Sequence, residues 1–253
     1  MPSAEHQKSF VLTVAESKRL LARALKRHPA VIGALNTGIV AVAKGTTNSY
    51  VYEELAAEGI HKPHYCTGVT RPSRGAEDVE TAGELPDLVL REGEKQGSVS
   101  VVEIASEMGP GDVFIKGANA LNYERRQAGI LIGHPTGGTI GAVIGTLVAR
   151  RVTLIIPVGL EKNIPGDLHE IYGRMVEVSA NGSGPMLWPV DGEIFTEVEA
   201  LELLSGCRAA PIAAGGIAGA EGSVRIAVWG TADHVARAEA AVEDILGEPP
   251  FIA

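Results

Sequence analysis

The stretch that most constrains the fold is residues 111–162. It reads GDVFIK, then GANALN, then GILIGHPTGGTIGAVIGTLVARR, then VTLIIPVGLEK. This is the order strand, glycine-rich turn, helix, strand. Residues 152–158 are almost uninterrupted in their apolar character, the pattern of a central strand in a parallel sheet covered on both faces. Gly137, Gly141 and Gly145 recur every fourth residue, so they share one face of the intervening helix. Each glycine costs a helix about 1 kcal/mol relative to alanine. Such a face predicts close approach to a sheet or a bound ligand.

Strands alternating with helices and glycine-rich turns predict an α/β protein. The 253 residues suffice for one large domain, or a large and a small one. Aromatic residues make up 4% of the chain, so its core must be built from Val, Ile, Leu and Ala. Helices are expected over 15–28, 49–58, 99–108, 137–149 and 167–175. Strands are expected over 37–43, near 65–69, and over 87–90, 113–115, 130–132 and 152–158. After the turn-rich run 181–185 the texture changes. Strand 186–190, helix 196–204, strands 207–213 and 223–229 around a glycine-rich hairpin, helix 232–246 and a terminal strand over 251–253 follow. Thr196 and Glu199 form a capping-box pattern at the start of that first helix. The order βαββα is that of a ferredoxin-like unit. Two domains are therefore expected, residues 1–183 and 184–253.

A net charge of −9 argues against nucleic acid as the principal partner. The basic run Lys18, Arg19, Arg23, Lys26, Arg27 and His28 reads as a solvated helix face. Cys66 and Cys207 form neither a disulfide framework nor a metal-ligand pair, and read as reduced thiols in a cytoplasmic protein. The polar start MPSAEHQKS carries no signal-peptide pattern. The apolar run 139–149 is too short for a bilayer, so no membrane partner is expected. No metal and no cofactor is implied, and a homo-oligomer is an open expectation.

Three turns carry the candidate chemistry. The first contains Lys44, Gly45, Thr46, Thr47 and Asn48, after a strand and before a helix. Unpaired N–H groups of the first helical turn, the helix dipole and Lys44 would all favour an anion there. The alternative is an ordinary capped turn. The second contains His134, Thr136, Gly137, Gly138 and Thr139 in the same setting. It is not a Walker A loop, because no lysine follows its glycines. Nor is it a dinucleotide fingerprint, because no acidic residue follows at the required distance. The third is GANALN, with Lys116 at the preceding strand end, then Gly117, Asn119 and Asn122. Its amides either hydrogen-bond the hydroxyls of a polyol or tie two loops together. The expected ligand is an anionic small molecule.

DVFIKGANALN, the glycine-rich turn and helix, and ARRVTLIIPVGLEK together resemble the superfamily of ribose-5-phosphate isomerase A, glucosamine-6-phosphate deaminase and the CoA transferases. The sugar-sensing domains of DeoR-type repressors look closest. KGTTNSY is similar to that superfamily's first phosphate-holding turn. The resemblance covers residues 30–246. It implies a Rossmann-like three-layer domain with a mostly parallel sheet and a small C-terminal α+β domain. It also implies a sugar phosphate as ligand and isomerase-like chemistry. The aspartates of the isomerase's Asp-Gly-Ala-Asp turn correspond here to Lys116 and Asn119. Helix 138–149 has no carboxylate, although aldose–ketose isomerisation needs a base beside the substrate carbon. Lys116, as an electrostatic stabiliser, and Glu103 are the catalytic candidates, with Glu107 and Glu161 as further possible bases. A non-catalytic ligand sensor is the alternative. Acyl or CoA transfer through Glu92 is a third reading. Cys66 is similar in setting to the cysteine of methylthioribose-1-phosphate isomerases.

Overall fold

Four short apolar segments lie parallel and side by side: β2 (Ile39–Val42), β5 (Val113–Ile115), β8 (Thr153–Pro157) and β10 (Glu193–Phe195). Every residue of β2 and β5 is buried, which is why both read as unbroken apolar runs. Two antiparallel strands, β3 (Leu88–Arg91) and β4 (Glu94–Lys95), complete a six-stranded mixed sheet in the order β10-β8-β5-β2-β3-β4. The computed structural model describes residues 5–68, 70, 85–178 and 182–251. Among them the chain is a mixed α/β protein with eight α-helices.

A second sheet joins β6 (Ala120–Asn122), β7 (Gln127–Ile132) and β9 (Met186–Val190), antiparallel throughout. A third joins β1 (His6–Leu12), β12 (Val224–Gly230) and β11 (Arg208–Ala214). In this third sheet β1 pairs along its whole length with β12, from His6 opposite Gly230 to Leu12 opposite Val224. Both ends of the chain therefore build one sheet. The strand expected at 186–190 exists but pairs with β7. The segment at 193–195, unassigned from sequence, extends the main sheet beside β8. Which strands become neighbours depends on non-local partners that local periodicity does not encode.

Helix α1 (Val14–Leu25) begins with a complete capping box between Thr13 and Glu16. It packs against α3 (Thr46–Ala56) and α7 (Glu197–Ser205), and α7 packs against α8 (Ala232–Glu243). The expected single helix over 15–28 is in fact α1 followed by α2 (Pro29–Thr37). Pro29 disfavours a helical conformation at His28 and then serves as the first residue of the new helix. The helix expected over 99–108 is one turn, α4 (Val101–Ile104). The strand expected near 65–69 is instead a 3-10 turn at Lys62–Tyr65, with Val69 outside the described residues. The terminal strand expected over 251–253 falls mostly outside them too.

The solvated face expected on α1 is not solvated at Lys18 and Arg19. Lys18 is buried, and Arg19 is enclosed by Glu248 at 2.9 Å, Glu53 at 2.6 Å and Glu54 at 3.1 Å. Lys18 stands three residues before Leu21 and seven before Leu25, on the stripe that faces the core.

Asp112 ties together the starts of two adjacent central strands. One carboxylate oxygen accepts from Ile39 N–H and the other from Gly109 N–H, both at 2.7 Å. This fixes the entry of β5 against that of β2, and so the alignment of their far ends, where the cavity lies.

Candidate anion site

A cavity of about 710 Å³ opens beyond the carboxyl ends of the parallel strands. Its size falls within the range of about 300–1,000 Å³ typical of small-molecule sites. Lys44 follows β2 by two residues, Lys116 follows β5 directly, and Lys162 ends a 3-10 turn (Leu160–Lys162) five residues after β8. Carboxyl ends of parallel strands are where open α/β sheets bind ligands. Lys18 reaches the same cavity from α1, and β7 lends Ile130 and Ile132 as an apolar wall.

The three turns singled out from sequence meet here. Lys44, Gly45, Thr46, Thr47, Lys116, Gly117, Asn119, His134, Gly137, Gly138 and Thr139 all line the cavity. Asn48, Asn122, Thr136 and Glu103 do not. Asn48 is fully buried and donates its amide to the carbonyls of Ala43 at 2.7 Å and Ile115 at 3.2 Å, tying the end of β2 to the end of β5. Thr136 bonds His134 Nδ1 through both its N–H and its hydroxyl. Glu103 closes the capping box of α4 with Ser100, exposed and outside the cavity lining, and that bonding holds its carboxyl below the usual range. Of the other possible bases, Glu107 is exposed and pairs with Arg91. Glu92 occupies the turn between β3 and β4 and is likewise absent from the cavity wall.

The amides of GANALN largely tie loops together. Asn122 donates to Gly166 O at 2.6 Å and accepts from Arg125 N–H at 3.0 Å. Asn119 accepts from Leu131 N–H at 3.0 Å. Cys66 is a buried thiol whose burial raises its pKa to about 11, so it is protonated and weakly nucleophilic at neutral pH.

Helix N-termini are the most telling feature. Helices α1, α4, α6 (Leu168–Glu177), α7 and α8 each carry a side-chain cap: Thr13, Ser100, Asp167, Thr196 and Thr231. Helix α2 also has no side-chain cap, but it opens on Pro29, which has no N–H; the two helices that start at the cavity, α3 and α5 (Gly138–Ala149), have glycine at the N-cap and no side-chain cap. The first-turn N–H groups of both point out of the helix without a capping oxygen, and both positive dipole ends meet one space. At the second, Gly141 is required. A Cβ there would sit 2.6 Å from the Thr136 carbonyl oxygen, so the glycine lets the loop fold back onto its own helix. Gly145 has open space around it and no comparable role. The glycine face thus serves a turn closing on the helix.

Lys18, Lys44, Lys116 and Lys162 line the cavity, and no aspartate or glutamate does among the described residues. In a chain of net charge −9 this is a concentrated positive field. Burial lowers the pKa of Lys116 to about 8, with the Lys162 charge acting in the same direction. Burial also lowers Lys18 and Lys162, against the opposing pull of Glu161. Beneath Lys162 lies a carboxylate couple. Glu197 is fully buried and accepts from Leu160 N–H through both oxygens, at 3.0 and 3.2 Å. Burial and the neighbouring Glu161 raise its pKa to about 7. Glu161 Oε2 is buried without a hydrogen-bond partner.

Lys18 and Lys162 were missed as site residues. The signal for Lys18 was its place on the apolar stripe of α1, and for Lys162 a lysine closely following a central strand. Comparison with protein-family models and with curated proteins gave no match.

Proposed function

We propose that this cavity binds a phosphorylated or otherwise multiply anionic small molecule, with a sugar phosphate as the leading class. The observation that carries this reading is the pair of uncapped helix N-termini, α3 and α5, meeting the lysine cluster in one cavity. An anion there would accept from N–H groups that no capping oxygen satisfies and would neutralise buried ammonium groups. Under this reading Thr46, Thr47 and Thr139 complete the phosphate contacts, and Asn119 orients a hydroxyl or carbonyl.

The same reading takes the main sheet as that of a Rossmann-like domain in the isomerase and CoA-transferase superfamily. Four adjacent parallel strands with the cavity at their carboxyl ends support it. The ferredoxin-like assignment of the C-terminal unit draws support from the β11-β12 pairing and from α8 packed on β12, whereas β9, its expected first strand, pairs with β7 in another sheet. Isomerase-like turnover is one outcome of such binding. Ligand sensing without turnover is the second, favoured by the absence of any carboxylate from the described lining.

The test is thermal melting of the protein with sugar phosphates, CoA esters and inorganic phosphate. A ligand selective for the folded state at 100 times its Kd stabilises by about 2.7 kcal/mol, a shift of several degrees. A rise with phosphorylated compounds is expected. An unchanged melting temperature with all of them removes the reading.

A further inference from the structure

We propose that Lys116 is an amine nucleophile that forms an imine with a carbonyl-bearing anionic ligand. The proposal rests on the anion reading of the cavity and goes beyond it by assigning covalent chemistry to one of the four lysines.

The surroundings of the four lysines single out Lys116. Lys162 Nζ donates to Ala118 O at 2.8 Å and feels the charges of Glu161 and Glu197. Lys18 Nζ stands 5.6 Å from the centre of the Phe251 ring and is held by the Glu161 charge. Lys44 belongs to the loop that opens α3, where an anion would sit. Lys116 follows the fully buried Ile115 and lines the cavity, and its Nζ has neither a hydrogen bond nor an ion pair among the described residues. Among the described residues no acid stabilises its ammonium form. The charged groups that line the cavity with it are Lys18 from α1, Lys44 from the turn after β2 and Lys162 from the turn after β8, with titratable His134 from the loop after β7. Desolvation and a neighbouring cation are the two means by which a lysine is made nucleophilic at neutral pH. With a pKa of about 8, about a tenth of Lys116 is free amine at pH 7, far more than for an ordinary lysine. The uncapped starts of α3 and α5 can meet the ligand's negative charge, leaving Lys116 for the carbonyl.

The step balances without a further reactant. The amine lone pair attacks the carbonyl carbon, the C=O π pair moves to oxygen, and a carbinolamine forms. The two amine protons leave with that oxygen as water, and the C=N double bond remains. Borohydride would then deliver hydride to the imine carbon and fix the adduct as a secondary amine.

The experiment treats the whole protein with pyridoxal 5′-phosphate, which offers a phosphate and an aldehyde together. Borohydride reduction and peptide mapping by mass spectrometry follow. Pyridoxine 5′-phosphate, which carries an alcohol in place of the aldehyde, is tested in parallel for thermal stabilisation. The expected result is a phosphopyridoxyl group on Lys116, formed on the order of tenfold faster than on exposed Lys26, and faster at pH 9 than at pH 7. Stabilisation by pyridoxine 5′-phosphate with labelling only on exposed lysines overturns the imine and leaves the anion site standing. Absence of both stabilisation and Lys116 labelling overturns the two together.

Discussion

Replacing Lys116 with methionine should stabilise the protein at pH 7 while weakening anion binding. The side chain makes no polar contact among the described residues, so methionine of similar length leaves no partner stranded. The change removes a buried charge. The drop in pKa from 10.5 to about 8 corresponds to about 3 kcal/mol of penalty on the ammonium form, at 1.36 kcal/mol per tenfold change in proton affinity. The folded state releases its proton first, so between pH 8 and 10.5 the unfolded state holds more protons. Wild-type stability must therefore rise across that window, and the penalty is in full force below it. Urea unfolding at pH 7 should show Lys116→Met more stable by up to about 3 kcal/mol. The rise between pH 8 and 10.5 should be lost in the variant. A destabilised variant would mean that Lys116 is a structural cation.

The opposite sign is expected for Glu197→Ala. Glu197 is fully buried, both its oxygens accept from Leu160 N–H, and its charge supports Lys162. Alanine strands that N–H and removes a charge facing a buried lysine. Leaving that buried N–H unsatisfied costs about 1–3 kcal/mol. Glu197→Gln keeps an oxygen for Leu160 and should cost much less. The pH dependence offers a second check. The carboxyl pKa is raised to about 7, so the folded state holds more protons than the unfolded state from pH 4.5 to 7. Wild-type stability should fall as pH rises through that window, and Glu197→Gln should flatten the fall. Denaturant midpoints at pH 5 and pH 7 for both variants read the two effects together. An unchanged Glu197→Ala midpoint would remove the carboxylate couple from the account.

Local chemistry was legible in the sequence, and spatial neighbours were not. The capping box of Thr196 and Glu199 is present as written, because caps are decided within four residues. The apolar run at 152–158 became β8, between β10 and β5, because a strand buried on both faces needs no polar alternation. The three turns were found because glycine and hydroxyl residues mark backbone that bends and donates. Their meeting in one cavity follows from the parallel order of β2, β5 and β8, which sequence spacing does not specify. The same blindness hid Lys18 and Lys162, since a lysine becomes part of a site only through what folds around it. It also made Asn48 look like a ligand contact, although its amide joins two strand ends. Glu103 is a cap on a helix outside the cavity lining, where a carboxylate serves the dipole. The pairing of β1 with β12 joins residues more than two hundred positions apart, beyond any local signal.

The central claim, an anion site built from two uncapped helix starts and buried lysines, is met most directly by isothermal titration with sulfate at pH 8. Sulfate is a tetrahedral dianion with no proton to lose near that pH, so any proton taken up belongs to the protein. The measurement is made in two buffers of different ionisation enthalpy. Saturable binding that weakens with added salt is predicted, with net proton uptake as Lys18 and Lys162, whose charged forms burial disfavours, regain charge beside the anion. The absence of saturable binding, or binding without proton uptake in the wild type, would contradict the site as described.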